Sequence, residues 1–171
     1  MRAVLKMTAA EFHGLIEHLL PPSSRNEEAA FLYVRAIRAE HVIFEVQGVE
    51  KLSGDDLTTQ EGDYLELRDD TRARLIKRAH DLGASLVELH SHPGPWPAKF
   101  SKFDFVGLAE TVPHIWWRLR KRPYIAIVVA PSGFDALVWL DDPKVPRSLD
   151  ALVAGDRLMK PTNLSLPEWR A

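Results

Sequence analysis

Two histidines separated by one residue, His90 and His92, are the side chains whose type and spacing point most directly to chemistry. They follow a largely apolar run over residues 84 to 89, which is typical of a buried strand. Because strand side chains alternate between the two faces of a sheet, both imidazoles are predicted to project from the same face. Imidazole is the commonest metal ligand in proteins. The pair therefore predicts a metal site at the end of a strand.

Asp104 is the nearest downstream carboxylate, and it can complete a set of three ligands with the two histidines. Two histidines and one carboxylate leave the fourth tetrahedral position of zinc open for water, as in hydrolytic rather than structural sites. The chain contains no cysteine, which excludes thiolate ligands, disulfides and a cysteine nucleophile. We therefore predict that His90, His92 and Asp104 hold a Zn²⁺ ion.

Ser101 and Asp104 form an S-x-x-D pattern that has two interpretations. At the start of a helix the pattern is an ordinary capping signature, and alone it would indicate a cap more often than a site. Here the histidine pair ends only eight intervening residues upstream, and such a combination is much less expected by chance. One helix start can serve both purposes.

The combined pattern resembles the JAMM motif of the JAB1/MPN/Mov34 metalloproteases. The matching residues are His90-x-His92, eight intervening residues and then Ser101-x-x-Asp104, and residues 90 to 93 read HSHP as is frequent in that family. The resemblance implies a single MPN/JAMM domain with a cytidine-deaminase-like fold of the α/β (α+β) class. Its central sheet would be mixed, mostly antiparallel and flanked by helices.

Two further segments resemble the same family. Residues 26 to 32 resemble the segment in which a catalytic Glu opens a strand, with Ala30 in place of the usual Gly. Residues 123 to 131 resemble the strand after the motif helix, with Ala130 where an Asp is common. The resemblance extends from about residue 15 to about residue 140.

The resemblance implies a catalytic role for two residues beside the zinc ligands. Glu27 would be the general base that takes the proton of the attacking water, and Ser101 would donate a hydrogen bond to the developing oxyanion. Glu28 competes with Glu27 for the role of base, because adjacent strand residues face opposite sides of a sheet. We choose Glu27 because it places the small Ala30 where the family has Gly.

The resemblance also implies a substrate class, because family members with a complete motif cleave isopeptide or peptide bonds after the C-terminal tail of ubiquitin or a ubiquitin-like protein. The expected partners are thus a ubiquitin-like protein or its conjugate, and E1-like or E2-like enzymes. Whether the reaction is deconjugation or precursor processing stays open. Residues 47 to 70 could contact substrate or form a solvated connection, and we prefer the second interpretation.

Two other classes of function remain as alternatives. A non-catalytic MPN scaffold would bind a ubiquitin-like or E1/E2-like partner, but such scaffolds usually lack ligands that this chain retains. A phosphoesterase of the PHP or amidohydrolase type also uses His-x-His after a strand. That fold needs a longer barrel and more downstream histidines, whereas only His114 follows the motif.

Composition limits the remaining possibilities. A chain of 171 residues buries roughly 70% of its unfolded surface, enough for one core. We predict an MPN/JAMM domain at residues 1 to 140 and a C-terminal extension of unknown role at residues 141 to 171. A net charge of −2 predicts no general attraction to nucleic acid or to a membrane surface. We expect a cytoplasmic protein, since residues 1 to 6 lack the apolar core of a signal peptide.

Hydrophobic periodicity predicts the elements that would position the site. Thr8 and Glu11 predict a capping box for the first helix, Asp70 is expected to cap a second, and Pro113 is expected to end the helix that begins at Ser101. The predicted hairpins span residues 29 to 46 and 124 to 140, and further elements are helices at 71 to 82 and 149 to 159 and strands at 64 to 67 and 85 to 89.

Two tryptophan-containing segments allow both a functional and a structural interpretation. The loop at residues 93 to 97 is stiffened by three prolines, and Trp96 could line a substrate groove or cover the loop against the body of the protein. The basic, aromatic stretch at residues 114 to 122 could bind a partner. It could instead be a helix end whose tryptophans pack inward, which is the interpretation we favour.

Overall fold

The computed structural model describes residues 1–62 and 64–170, in which helices surround a large sheet. The strands are β1 (Ala3–Met7), β2 (Ala29–Arg38), β3 (Val42–Lys51), β4 (Leu57–Gln60), β5 (Leu65–Leu67), β6 (Ser85–Ser91), β7 (Tyr124–Ala130), β8 (Gly133–Trp139), β9 (Arg147–Ser148), β10 (Ala151–Ala154) and β11 (Arg157–Met159). The α-helices are α1 (Ala9–Leu19), α2 (Asp69–Leu82), α3 (Lys102–Arg118) and α4 (Ser165–Arg170).

Within the described ranges the main sheet has nine strands in the order β11-β10-β1-β3-β2-β6-β7-β8-β9. Parallel pairing joins β10 to β1, β1 to β3 and β6 to β7, and the other neighbours are antiparallel. β4 and β5 form a separate two-stranded sheet. The predicted α/β class, with a mixed and mostly antiparallel sheet flanked by helices, is confirmed.

The sheet has a hydrophobic core on each face because its strands alternate. On one face, Leu15 of α1 belongs to the same buried cluster as Leu32 of β2. On the other face, Leu75 of α2 and Ile115 of α3 share a cluster with Phe31, the neighbour of Leu32. Adjacent residues of β2 thus enter opposite layers. This second layer, covered by α2 and α3, is the one that contains the predicted site.

Several local signals are confirmed. Thr8 Oγ1 accepts a hydrogen bond from Glu11 N at 3.0 Å while Glu11 Oε1 accepts one from Thr8 N at 2.9 Å, so α1 begins with the predicted capping box. Gly83 ends α2 with a left-handed φ of 64°, a conformation that glycine adopts without steric strain.

No helix in the described part of the chain is both long enough and apolar enough to cross a bilayer.

Two helix boundaries were predicted wrongly. Pro113 lies inside α3, which continues to Arg118. A proline in a helix costs about 3 kcal/mol, and the buried side chains of Val112 and Ile115 hold α3 against the sheet on either side of it. α2 begins at Asp69, and Asp70 lies in its first turn, accepting from Thr71 N at 2.9 Å instead of capping the helix.

Residues 141–170 contribute directly to the main sheet. The helix predicted at residues 149 to 159 is wrong, because this segment forms β10 and β11. β10 pairs in parallel with β1, with Leu152 opposite Leu5, and Gly155 turns the chain into β11 with a φ of 62°. A short apolar run such as Leu152 to Ala154 does not by itself distinguish a strand from a helix. Here the segment is a strand because it pairs with the edge of β1 that faces away from β3.

Candidate metal centre

β6 carries the two histidines to the face of the sheet that α3 covers. His90 lies opposite Ala29 of β2, and its side chain is buried against the ring of Phe100 at a centroid distance of 5.7 Å. His92 follows the last residue of β6, and its backbone N donates to the carbonyl of Val129 at 2.8 Å. This bond continues the strand geometry by one residue, so the two imidazoles project in the same direction as predicted.

The predicted site residues His90, His92, Asp104 and Glu27 lie in one cluster. The two Nε2 atoms of His90 and His92 are 3.2 Å apart, and Asp104 Oδ2 is 3.2 Å from each of them. Glu27 Oε1 is 3.3 Å from His92 Nε2. Two imidazole nitrogens at this separation repel unless a proton or a cation lies between them. The donor set of two imidazoles and carboxylates matches the ligands that zinc accepts.

Asp104 and Ser101 form the capping box of α3. Ser101 Oγ accepts from Asp104 N at 3.1 Å, and Asp104 Oδ2 accepts from Ser101 N at 2.8 Å. The same Oδ2 faces both histidines, so the helix start fixes the carboxylate as a possible ligand. The hydroxyl of Ser101, acting as an acceptor in the cap, retains its own hydrogen as a donor.

Glu27 is held just before β2 by backbone contacts from two directions. Its N donates to the carbonyl of Glu61 at 2.9 Å, and its carbonyl accepts from Gln60 Nε2 at 3.0 Å. The neighbouring Glu28 donates from its N to the buried Ser91 Oγ at 2.9 Å. These bonds tie the two glutamates to β4 and β6. Of the two, Glu27 is the one whose carboxylate contacts His92.

The electrostatics of this cluster favour a bound positive charge. Burial alone would lower the pKa of His90, but the neighbouring carboxylates of Asp104, Glu27 and Glu88 outweigh it and raise that pKa to about 9. Burial likewise opposes ionisation of Asp104, yet the two histidines and Ser101 N hold its pKa far below the usual range. Without a metal the cluster retains a proton, which a divalent cation would replace on binding.

The structure brings Glu88 and Tyr124 to the same face, a pairing that the sequence interpretation omitted. Tyr124 Oη donates to Glu88 Oε1 at 2.7 Å, and burial raises the pKa of both groups. Glu88 lies two residues before His90 on β6, so the alternation that linked the histidines also predicted its direction. Tyr124 could not be found in this way, because it reaches the site through the parallel pairing of β7 with β6.

A cleft of about 350 Å³ opens beside the cluster between β5 and α3. Glu27, His90 and Asp104 line it, together with Leu67 of β5 and Phe103 of α3. Tyr64, just before β5, contacts the ring of Phe103 across it at 6.5 Å. The site therefore adjoins an open space that an extended ligand could enter.

The exposure of Trp96 and Trp117 contradicts the structural interpretation of the two tryptophan-containing segments. Trp96 is 76% exposed, so it does not cover its loop against the body of the protein. Trp116 is buried as expected, whereas Trp117 is 74% exposed and contradicts the prediction that both pack inward. Successive residues of a helix point about 100° apart, so two adjacent tryptophans cannot both face one core.

No known protein family's model and no curated protein matches this chain. The structure shows a mixed α/β protein in which Glu27, His90 and His92 form a group able to hold a metal ion. The carboxylate of Asp104 lies 3.2 Å from both imidazoles.

Proposed function

We propose that this chain is a JAMM-type zinc metalloprotease with an MPN fold, which cleaves the amide or isopeptide bond after the C-terminal tail of a ubiquitin-like protein. The observation that supports it most is the convergence of His90, His92 and Asp104 to 3.2 Å with Glu27 beside them. These residues come from three separate parts of the chain. They are also the ones that match the family's motif.

The residue roles follow from what amide hydrolysis requires. Zinc bound to His90, His92 and Asp104 would supply an activated water and would polarise the scissile carbonyl. The carboxylate of Glu27 accepts a proton from the attacking water and passes it to the departing amine. The hydroxyl of Ser101, one turn from Asp104, donates to the oxygen on which negative charge develops.

The shape of the cleft supports an extended substrate. β5 pairs with β4 on one side, and its other edge pairs with no strand in the described ranges. Leu65, Glu66 and Leu67 of this edge line the cleft that leads to the cluster. A substrate tail could add to β5 by backbone hydrogen bonds. Part of residues 47 to 70 would then contact substrate, in place of forming the solvated connection that the sequence favoured. Small residues next to the scissile bond, such as glycines, are what the resemblance to the JAMM family implies for this tail.

The substrate assignment is tested with a panel of reporter fusions. Ubiquitin-like proteins with Gly-Gly tails are compared with matched fusions that carry Leu-Leu tails and with a generic phosphodiester, using the zinc-loaded protein. We expect cleavage of the Gly-Gly fusions alone, and loss of that cleavage in Glu27→Gln. Equal cleavage of both tails would contradict the substrate class, and activity confined to the phosphodiester would contradict the protease assignment.

A further inference from the structure

The loop that connects the histidines to Ser101 is held by the last residues of the chain. Phe100 N donates to Ser165 Oγ at 2.9 Å, in a contact where both residues are buried. Two residues earlier in the loop, the carbonyl of Ala98 accepts from Thr162 Oγ1 at 2.7 Å. These bonds span more than sixty positions of sequence. The loop conformation therefore depends on the segment formed by residues 162–170, which we call the C-terminal clamp.

A buried carboxylate of β8 orders the C-terminal clamp. Asp135 is 1% exposed, and its two oxygens accept from Ser165 N at 2.8 Å and Asn163 N at 3.0 Å. Asp135 Oδ1 also accepts from Ala136 N at 3.0 Å. A carboxylate buried without such donors is strongly disfavoured. The burial of Asp135 is tolerated because three backbone N–H groups donate to it, and the bonds from Asn163 N and Ser165 N also fix the backbone that presents Ser165.

Aromatic packing also holds the C-terminal clamp against α3 and β8. Trp169 of α4 lies edge-on to Phe105 of α3 at a centroid distance of 5.6 Å and to Trp139 of β8 at 5.5 Å. On the surface, Lys99 and Glu168 form an ion pair at 2.9 Å with both side chains nearly half exposed. An exposed pair of this kind contributes little to stability. The buried polar and aromatic contacts are thus the ones that hold the loop.

The residue gripped by the clamp, Phe100, contacts His90, and the residue after it contacts Asp104. The ring of Phe100 packs against the imidazole of His90 at 5.7 Å. The next residue, Ser101, donates from its N to Asp104 Oδ2 at 2.8 Å. A shift of Phe100 would therefore move His90 and Asp104 relative to each other. Removing a group that hydrogen-bonds a metal ligand directly typically costs 10- to 100-fold in metal affinity. A group that acts through Phe100 is expected to cost an amount at the lower end of that range.

We propose that Ser165 and Asp135 are positioning residues of the metal centre, with the C-terminal clamp setting the distance between the histidines and Asp104 through Phe100. This inference rests on the proposed zinc site. Ser165→Ala removes the acceptor of Phe100 N but retains the bond from Ser165 N to Asp135. It therefore separates the grip on the loop from the ordering of the clamp.

The test measures the zinc dissociation constant of the full chain by competition with a chromophoric chelator, and the melting temperature of each metal-free protein. Ser165→Ala and Asp135→Asn are expected to weaken zinc binding about 10-fold, the lower end of the range for groups that contact a ligand directly. Two controls are expected to bind zinc as the wild type does. Glu168→Gln removes only the exposed ion pair of the clamp, and Leu152→Ala lowers stability from the opposite core layer.

Each outcome supports or contradicts a distinct claim. If the wild type binds zinc and Ser165→Ala binds it equally well, the positioning role is wrong while the zinc site stands. If Leu152→Ala weakens zinc binding as much as Ser165→Ala, the effect is one of general stability and the inference fails. If the wild type binds no zinc, the proposed function fails and the inference with it.

Discussion

Asp104 combines two tasks. Its Oδ2 accepts from Ser101 N and also faces both histidines, so the carboxylate that caps α3 is the one that would bind the metal. A negative charge at the first turn of a helix is favoured by the helix dipole. The helix therefore helps to keep this ligand ionised and fixed in place before any metal arrives.

Glu27→Gln should abolish hydrolysis while the protein still binds zinc, because the proposed ligands His90, His92 and Asp104 are unchanged. The amide is nearly isosteric with the carboxylate but cannot accept the proton of the attacking water. Turnover of a Gly-Gly fusion and zinc content are measured on the same preparation. Glu28→Gln is the matched control and should be mild. The reverse ranking of the two variants would show that Glu28 is the base.

The metal-free protein should lose stability as the pH rises from about 6.5 to about 9. The pKa of His90 is raised from 6.5 in the unfolded chain to about 9 in the folded protein. The protonated form is thus favoured by folding, and its stabilisation is complete below the lower value and is lost through the higher one. Thermal unfolding in excess chelator measures this trend. His90→Gln should lack it, and a wild-type melting temperature that rises over this interval would contradict the assignment.

Zinc binding should show the opposite dependence on pH. Because the ion must displace the proton held by His90, the apparent affinity should increase up to about pH 9. Competition titrations at several pH values measure it. An affinity independent of pH would mean that His90 is not a ligand.

At the scale of elements, the start of α3 and the start of α1 make a natural comparison, because both have capping boxes. Only the box of α3 adjoins the metal centre. Ser101→Ala should cost about 0.5–2 kcal/mol in the free energy of unfolding and roughly 10²- to 10³-fold in turnover. Thr8→Ala should lower the free energy of unfolding by a similar amount and leave turnover unchanged. Unfolding curves and rates on the same two variants separate the roles, and equal losses of turnover would contradict a catalytic Ser101.

Local chemistry explains which elements were predictable. Capping residues, the glycine after α2 and the alternation in β6 act over a few positions, so their signals are complete in the sequence. The continuation of α3 through Pro113 depends on packing against the sheet. The strand identity of β10 depends on β1, whose partner residues lie about 147 positions away. Signals of that kind cannot be read from local periodicity.

In the molecule as a whole, the site is built where three parts of the chain meet. β6 and the residue that follows it supply the histidines, α3 supplies Asp104, and Glu27 enters from the segment before β2. The motif spacing was sufficient to predict that the histidines and Asp104 meet. The contribution of residues 162–170, which lie in the segment predicted as an extension of unknown role, could not be predicted. Their contacts to the loop are long-range hydrogen bonds and aromatic packing without a motif.

The zinc content of the purified chain shows directly whether His90, His92 and Asp104 form a zinc site. Elemental analysis is carried out on the wild type and on His92→Ala, with the melting temperature recorded before and after adding zinc. We predict about one zinc per wild-type chain, little in His92→Ala, and a higher melting temperature only for the wild type. A wild-type chain that contains no zinc, and that neither binds added zinc nor is stabilised by it, would contradict the account.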